Sequence, residues 1–468
     1  MIEIVVIGTR SLGDRSYLAT DGTAALVVDP QRDIDRVLVA AAERGVAIRA
    51  VFETHIHNDY VSGGLALARE TGAAYYVNAA DEVAFGRAAI RDGDEVTVGT
   101  MRLRALATPG HTFTHLSYAL HDATTGAPVA VFTGGSLLNG STGRPDLLGA
   151  GHAGELARAQ RASARRLASA LPDSMRVLPT HGFGSFCAAG PGGAGAGAAT
   201  ATTIGDEKRA NPALILDEDC YVAALLAGLD AYPAYYARMG AANRAGADAP
   251  SLLPPPHVAA SEIAGRIAAG EWVVDLRARR TFAAAHVPGS LSFELGDAFA
   301  TSLGWLLPVS TPLTLLADTP GQVAAAQREL SRIGVDRLAG AATGITRDLL
   351  GSARTAACPV SDFGSLAVVR RHLEIVILDV RRPLEWAASH IDGALHIPLH
   401  ELPGRLRDLP SLPVWVHCQS GYRASVAASF LQAAGHAVTI VDDDFGRAGA
   451  AGLPLSAEAG PLRALSAA

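Results

Sequence analysis

Thr54-His55-Ile56-His57-Asn58-Asp59-Tyr60 decides how the first half of the chain is read. It follows the apolar run Ile48-Arg49-Ala50-Val51-Phe52, which reads as a buried strand. Two histidines one residue apart at a strand end can turn toward one metal ion, and an aspartate two residues further on can reach a second. Imidazole and carboxylate suit a borderline divalent cation such as zinc or ferrous iron. Such residues belong on the loop leaving a strand, where a rigid sheet positions them. The alternative at this point is a solvated loop that happens to hold two histidines.

Working outward, the same device recurs. Met101 to Ala107 reads as a strand and runs into Thr108-Pro109-Gly110-His111-Thr112, where Pro-Gly marks a turn. Arg176 to Leu178 runs into Pro179-Thr180-His181-Gly182. A single histidine of this kind is more often a satisfied structural residue than a ligand. Strand, turn and histidine repeated on three loops argue for a shared metal site. Around them lie strands at Ile4 to Ile7, Tyr17 to Ala19 and Ala25 to Asp29, a helix at Ile34 to Arg44 and another at Leu65 to Thr71. An antiparallel start followed by alternating strand and helix predicts an α/β sandwich rather than a dinucleotide-binding unit. Pro212 to Gly240 reads as helix, with Tyr232, Tyr235 and Tyr236 as packing residues. The Ala/Gly-rich residues 188–201 are expected to form a mobile loop. Cys187 is expected to be structural, because the sequence shows no electropositive setting for a reactive thiol.

The 468 residues are enough for about three domains, and 49% of them are apolar, so large cores are available. A net charge of −7 argues against a nucleic-acid surface. The four cysteines, Cys187, Cys220, Cys358 and Cys418, are too scattered for a disulfide framework and suit a reducing cytosol. Met1 to Gly8 alternates like a strand and lacks signal-peptide features, and no apolar run is long enough to span a membrane. A cytoplasmic protein, assembled from identical chains, is the expectation.

Residues 246–257 are Pro-rich and mark a linker between a first domain, 1–245, and a repeat. Val274-Asp275-Leu276-Arg277 matches Leu378-Asp379-Val380-Arg381, and Phe282 to Gly289 matches Trp386 to Gly393 at the same spacing. Each copy, 258–350 and 358–460, runs strand, helix, strand, helix, which predicts a parallel sheet. In the second copy the strand at Val414 to His417 ends on Cys418-Gln419-Ser420-Gly421-Tyr422-Arg423 and a helix follows. Small residues let that loop curl so that its N–H groups face inward, and the helix N-terminus and Arg423 add positive potential. Together these depress a thiol pKa and stabilise an anionic persulfide. In the first copy Asp318 takes the cysteine's place, and a carboxylate cannot carry sulfane sulfur, so that copy is expected to be silent.

The order His-X-His-X-Asp, Gly-His, Phe132-Thr133-Gly134-Gly135, Gly143-Arg144-Pro145-Asp146 and a final His resembles the metallo-β-lactamase fold, and more narrowly its persulfide dioxygenases. His181 to Cys187 with Gly205 to Pro212 resembles the form fused to rhodanese modules, and the loop at Cys418 with Asp379 and Arg381 resembles a rhodanese active loop. The resemblance implies an αββα sandwich followed by two rhodanese-like α/β domains with parallel sheets. It implies one divalent metal, Fe(II) or Zn(II), held by His55, His57 and His111, with Asp59 and His181 as weaker candidates and Asp146 behind them. It implies a small thiol persulfide, thiosulfate or sulfite as substrate, with no nucleic acid and no membrane. Two positions depart from the family: Tyr60 stands where a His is usual, and Gly135 where a metal-binding Asp is usual. Without that Asp the two-His-one-carboxylate set of an iron dioxygenase is broken. A zinc hydrolase of the thioester type fused to a sulfurtransferase, and a metal-free scaffold with rhodanese activity only, are the alternatives.

Overall fold

The structure, a computed structural model, describes residues 1–189, 202–344 and 355–458. Its contacts divide the chain into two units, Met1–Ser251 with Leu330–Gly334, and Leu252–Glu329 with Val335–Ala468. The loop expected over 188–201 lies almost wholly outside the described residues, as does the end of the first repeat copy, 345–350.

In the first unit, β1 (Glu3–Thr9), β2 (Asp14–Thr20), β3 (Ala24–Val28), β4 (Ala47–Phe52), β5 (Ala74–Asn78) and β6 (Ala88–Ile90) form one sheet in chain order. Its first three strands are antiparallel and the rest parallel. The crossovers are the helices α1 (Asp35–Ala42) and α2 (Gly64–Thr71). A second sheet holds β7 (Glu95–Val98), β8 (Met101–Ala107), β9 (Leu116–Asp122), β10 (Pro128–Gly134), β11 (Arg176–Pro179) and β12 (Thr202–Thr203). The helix α3 (Ala153–Ala170) carries the chain from β10 to its parallel neighbour β11.

The period-two alternation of side chains explains the layers. Tyr17, Leu26, Val28 and Phe52 meet Met101, Leu103, Tyr118 and Phe132 between the sheets. Their chain neighbours Leu18, Val27 and Val51 point the other way, onto Val37 of α1 and Leu67 of α2. Val131 and Val177 leave the opposite face of the second sheet to pack on Ala164 and Leu167 of α3. The result is the expected helix–sheet–sheet–helix sandwich. The single helix expected over Pro212 to Gly240 is a correction: helices span Pro212–Ile215, Glu218–Ala227 and Tyr236–Ala245. Asn211 and Asp217 accept backbone N–H groups as N-caps, and each such cap starts a new helix where the apolar pattern alone suggested continuity.

The second unit contains two all-parallel sheets. One has β13 (Trp272–Asp275), β14 (Leu291–Ser292), β15 (Leu313–Ala317) and β16 (Gly340–Thr343), ordered β14-β13-β15-β16. The other includes β17 (Val360–Ser361), β18 (Val376–Asp379), β20 (Leu395–His396), β21 (Val414–His417) and β22 (Val438–Val441), ordered β17-β22-β21-β18-β20. Between β18 and β20 lies β19 (His390–Ile391), which pairs antiparallel with β23 (Leu455–Ser456). The duplication extends to individual contacts. Arg277 Nη2 donates to Asp275 and to the Ala285 carbonyl; Arg381 Nη2 donates to Asp379 and to the Ser389 carbonyl. His286 stacks on Phe282 at 3.9 Å, and His390 on Trp386 at 3.8 Å.

Candidate metal centre and cysteine loop

The histidine loops leave β4, β8 and β11 at one end of the sandwich. His55, His57, His111 and His181 are all buried, with ring centroids 4.1 Å apart for His55–His57, 4.8 Å for His55–His111 and 5.3 Å for His111–His181. His57 turns Nε2 away from the cluster, 3.0 Å from the Tyr60 hydroxyl, 3.2 Å from Glu53 and 3.3 Å from Asp29. That leaves Nδ1 without a partner. His111 fixes Nδ1 on the Arg144 carbonyl at 2.9 Å, and its Nε2 has no partner. His55 Nε2 lies 3.4 Å from His181 Nε2. That is the edge between two imidazole ligands of one tetrahedral cation with bonds of about 2.1 Å. His181 Nδ1 is backed by Asp14 at 2.9 Å and Asp59 at 3.1 Å.

Donor atoms of His55, His57 and His181 lie within 4.8 Å of one another, and so do those of Asp14, Asp59 and His181 and those of His111, His181 and Cys187. His181, a weaker candidate from the sequence, is common to these three groups. Cys187 lies in no electropositive setting: burial, with Asp59 and Asp14 nearby, pushes its thiol up. The chain reversal after His181 nevertheless brings that buried thiol to the histidines. Asp146 makes a two-pronged ion pair with Arg144, at 2.7 and 2.8 Å, and so reaches the site only through the carbonyl that orients His111.

Five further residues were not singled out from the sequence. Asp29, at φ 51°, accepts from Thr54 N and Oγ1 at 2.7 Å and from Thr180 Oγ1, tying two histidine loops to the end of β3. Such a backbone outlier at a site stores strain where positioning is needed. Glu53 and Asp14 back His57 and His181. His115 stacks on His55 at 4.9 Å and accepts the Gly135 N–H at 3.0 Å. Asn243, from the last helix of the unit, donates to the His57 and Tyr60 carbonyls at 2.8 Å each and clamps the loop. The only available sequence signal was the clustering of these polar residues beside strand ends.

Electrostatics sort the imidazoles. Burial, with the neighbouring histidines, pushes His55 well below its ordinary value and His111 down to about 3, so both are neutral and ready to donate a lone pair. Burial also opposes charge on His57, but Asp29 and Glu53 outweigh it and hold it up to about 9. His181 is raised likewise, with Asp59 and Asp14 outweighing burial. The inward-facing nitrogens, orphaned in a dry pocket with carboxylates behind them, fit a divalent cation. They do not fit an iron triad completed at position 135. A Cβ on Gly135 would come closer than 3.0 Å to the His111 ring. Beside the loops a cavity of about 350 Å³ is lined by Ile56, Asp81, Thr112, Phe113 and Arg244.

In the second unit, Cys418 follows β21 and is buried. Gly421 N–H donates to its Sγ at 3.2 Å. Gly421 has φ +92°, and a Cβ there would overlap the Asp442 carboxylate, so glycine suits the start of the helix Tyr422–Ala433. Gln419 and Ser420 are exposed on the curl, and Tyr422 is half-buried. Arg423 faces Cys418 electrostatically, and both its terminal nitrogens also pair with Glu385, at 2.6 and 2.7 Å. Asp379 and Arg381 form a buried pair, with Arg381 lying 3.5 Å over the Phe445 ring. Arg279 of the first copy reaches Asp442 at 3.0 Å and the Ser420 carbonyl at 3.5 Å. Asp318 follows β15 as Cys418 follows β21, and its N–H donates to Gln322.

Burial works against the Glu385 carboxylate, yet Arg423 and Arg382 hold it down to about 2 from 4.5. A depressed acid stabilises the fold fully above its unfolded value and loses that contribution as pH falls. We expect up to about 3 kcal/mol to disappear between pH 4.5 and pH 2. Urea melts of the wild type and of Glu385→Gln should show this segment of pH dependence in the first only.

Residues 14–181 match the family model of the metallo-beta-lactamase superfamily, and residues 366–447 that of the rhodanese-like domain. A hydroxyacylglutathione hydrolase of Brucella anthropi is 37% identical over 136 residues, covering 27% of this chain and 50% of that protein. A probable polyketide biosynthesis zinc-dependent hydrolase of Bacillus velezensis is 29% identical over 176 residues, covering 36% and 72%. The chain thus spans about half the length of the first curated relatives it matches. A solved metallo-beta-lactamase from Staphylococcus aureus superposes with a TM-score of 0.64 at 27% identity, covering 73% of this chain and 98% of that one. The chain therefore has a metallo-β-lactamase fold and a rhodanese-like domain. Among the described residues no helix is long and apolar enough to cross a membrane.

Proposed function

We propose that the chain is an enzyme of reduced-sulfur metabolism, in which a metal centre in the first unit processes a low-molecular-weight thiol persulfide and Cys418 transfers sulfane sulfur. The observation that carries this is the Cys418 loop, whose inward N–H donates to the sulfur at 3.2 Å. With thiosulfate as donor, the Cys418 thiolate attacks the outer sulfur. The donor S–S bond breaks, sulfite leaves with its electron pair, and a Cys418 persulfide forms. An acceptor nucleophile then takes the outer sulfur and restores the thiolate. The loop N–H groups and the helix N-terminus face the anion at both stages.

In the first unit His55, His57, His111 and His181 would hold the cation. Bound there, it supplies Lewis acidity toward a substrate or water. Asp14, Asp29 and Glu53 fix the imidazoles, and the cavity beside Ile56 and Thr112 admits a small thiol. A second reading, hydrolysis of a thioester at zinc, is favoured by Gly135, which offers no carboxylate to an iron, and agrees with the similarity to hydrolases. Anaerobic purification followed by metal analysis and oxygen uptake with glutathione persulfide separates the two. Stoichiometric iron with uptake supports dioxygenation. Zinc without uptake moves the first unit to hydrolysis.

A further inference from the structure

We propose that Cys187 is a ligand of the metal, its thiolate joining His111 and His181 where position 135 supplies no carboxylate. The inference rests on the metal-centre reading above and goes beyond it by naming a sulfur donor.

Three observations carry it. Donor atoms of His111, His181 and Cys187 lie within 4.8 Å of one another, the spread one cation can draw together. His111 is wholly buried, and its Nε2, the nitrogen not held by Arg144, has no partner. A buried imidazole nitrogen left so is a cost unless something occupies its lone pair. Position 135 cannot supply that something, since the His111 ring fills the space a side chain there would need. Cys187 is a sulfur donor on that side. It is free and fully buried, and Arg144 N–H donates to its own carbonyl at 2.8 Å, so the strip that orients His111 also fixes the cysteine. When the metal–sulfur bond forms, the thiol proton leaves to solvent and no electron is transferred. Thiolate in place of carboxylate shifts the donor set toward zinc-class cations.

The test uses the full chain, stripped with a chelator and reloaded with Co(II). We expect one equivalent of Co(II) and a near-ultraviolet sulfur-to-cobalt charge-transfer band. The band should survive in Cys418→Ser and vanish in Cys187→Ser, with affinity for Co(II) lowered more than about tenfold in the latter. X-ray absorption at the metal edge of the Zn(II)-loaded Cys418→Ser protein gives the same answer without touching position 187: a sulfur scatterer at about 2.3 Å is expected. Stoichiometric metal with no sulfur scatterer, or a band unchanged in Cys187→Ser, overturns the proposal and leaves the metal centre standing. Failure to take up either ion overturns both.

Discussion

Cys418→Ser abolishes sulfur transfer from thiosulfate to cyanide, lowering the rate by about 10³-fold or more. The expectation follows from how little else the loop offers. The serine oxygen would keep the hydrogen bond from Gly421 that Sγ now receives at 3.2 Å, so the loop should hold its shape. What disappears is the one atom there able to form a sulfur–sulfur bond. Asp318 cannot substitute, because its copy ends the strand in a carboxylate. A coupled assay of thiocyanate release decides the matter, and transfer persisting in the variant would show that the sulfur chemistry lies elsewhere.

Gly135→Asp, which puts a carboxylate where the sequence resemblance implies a metal ligand, should damage the centre rather than restore it. The new Cβ would overlap the His111 ring, which cannot swing aside because Nδ1 is bound to the Arg144 carbonyl and the ring is wholly buried. Overpacking of this kind costs about 3 kcal/mol or more when the neighbour is locked. The expected result is a lower melting temperature together with less than stoichiometric metal. A variant that melts normally and gains iron would mean that His111 relaxes freely and that Gly135 is a neutral replacement.

Much of the sandwich was legible because its information is local. Alternation in β2 to β4 and the helical stripe of α1 fix which faces are buried, and the elements fell where those patterns placed them. The histidines were legible because each follows a strand and a turn. Cys187 was not, because what matters is a chain reversal that spends no recognisable motif and a neighbourhood supplied by residues far away in sequence. Asp29 was read only as the end of a strand, which is a local reading. Its role depends on Thr54 and Thr180, and the second lies 151 residues on. Arg423 was legible only in part. Its proximity to Cys418 is visible in the sequence, whereas Glu385, 38 residues before it, is a partner only in three dimensions.

The two copies of the repeat carry the same Asp–Arg pair, yet only one ends its strand in a cysteine. The thiol is present in one half and absent from the other, while the pair is in both. Asp275–Arg277 and Asp379–Arg381 therefore belong to the architecture that holds a strand end in place, independent of any reaction performed there. Each half is the other's reference sample, so a lesion introduced identically in both should weaken folding twice and chemistry once.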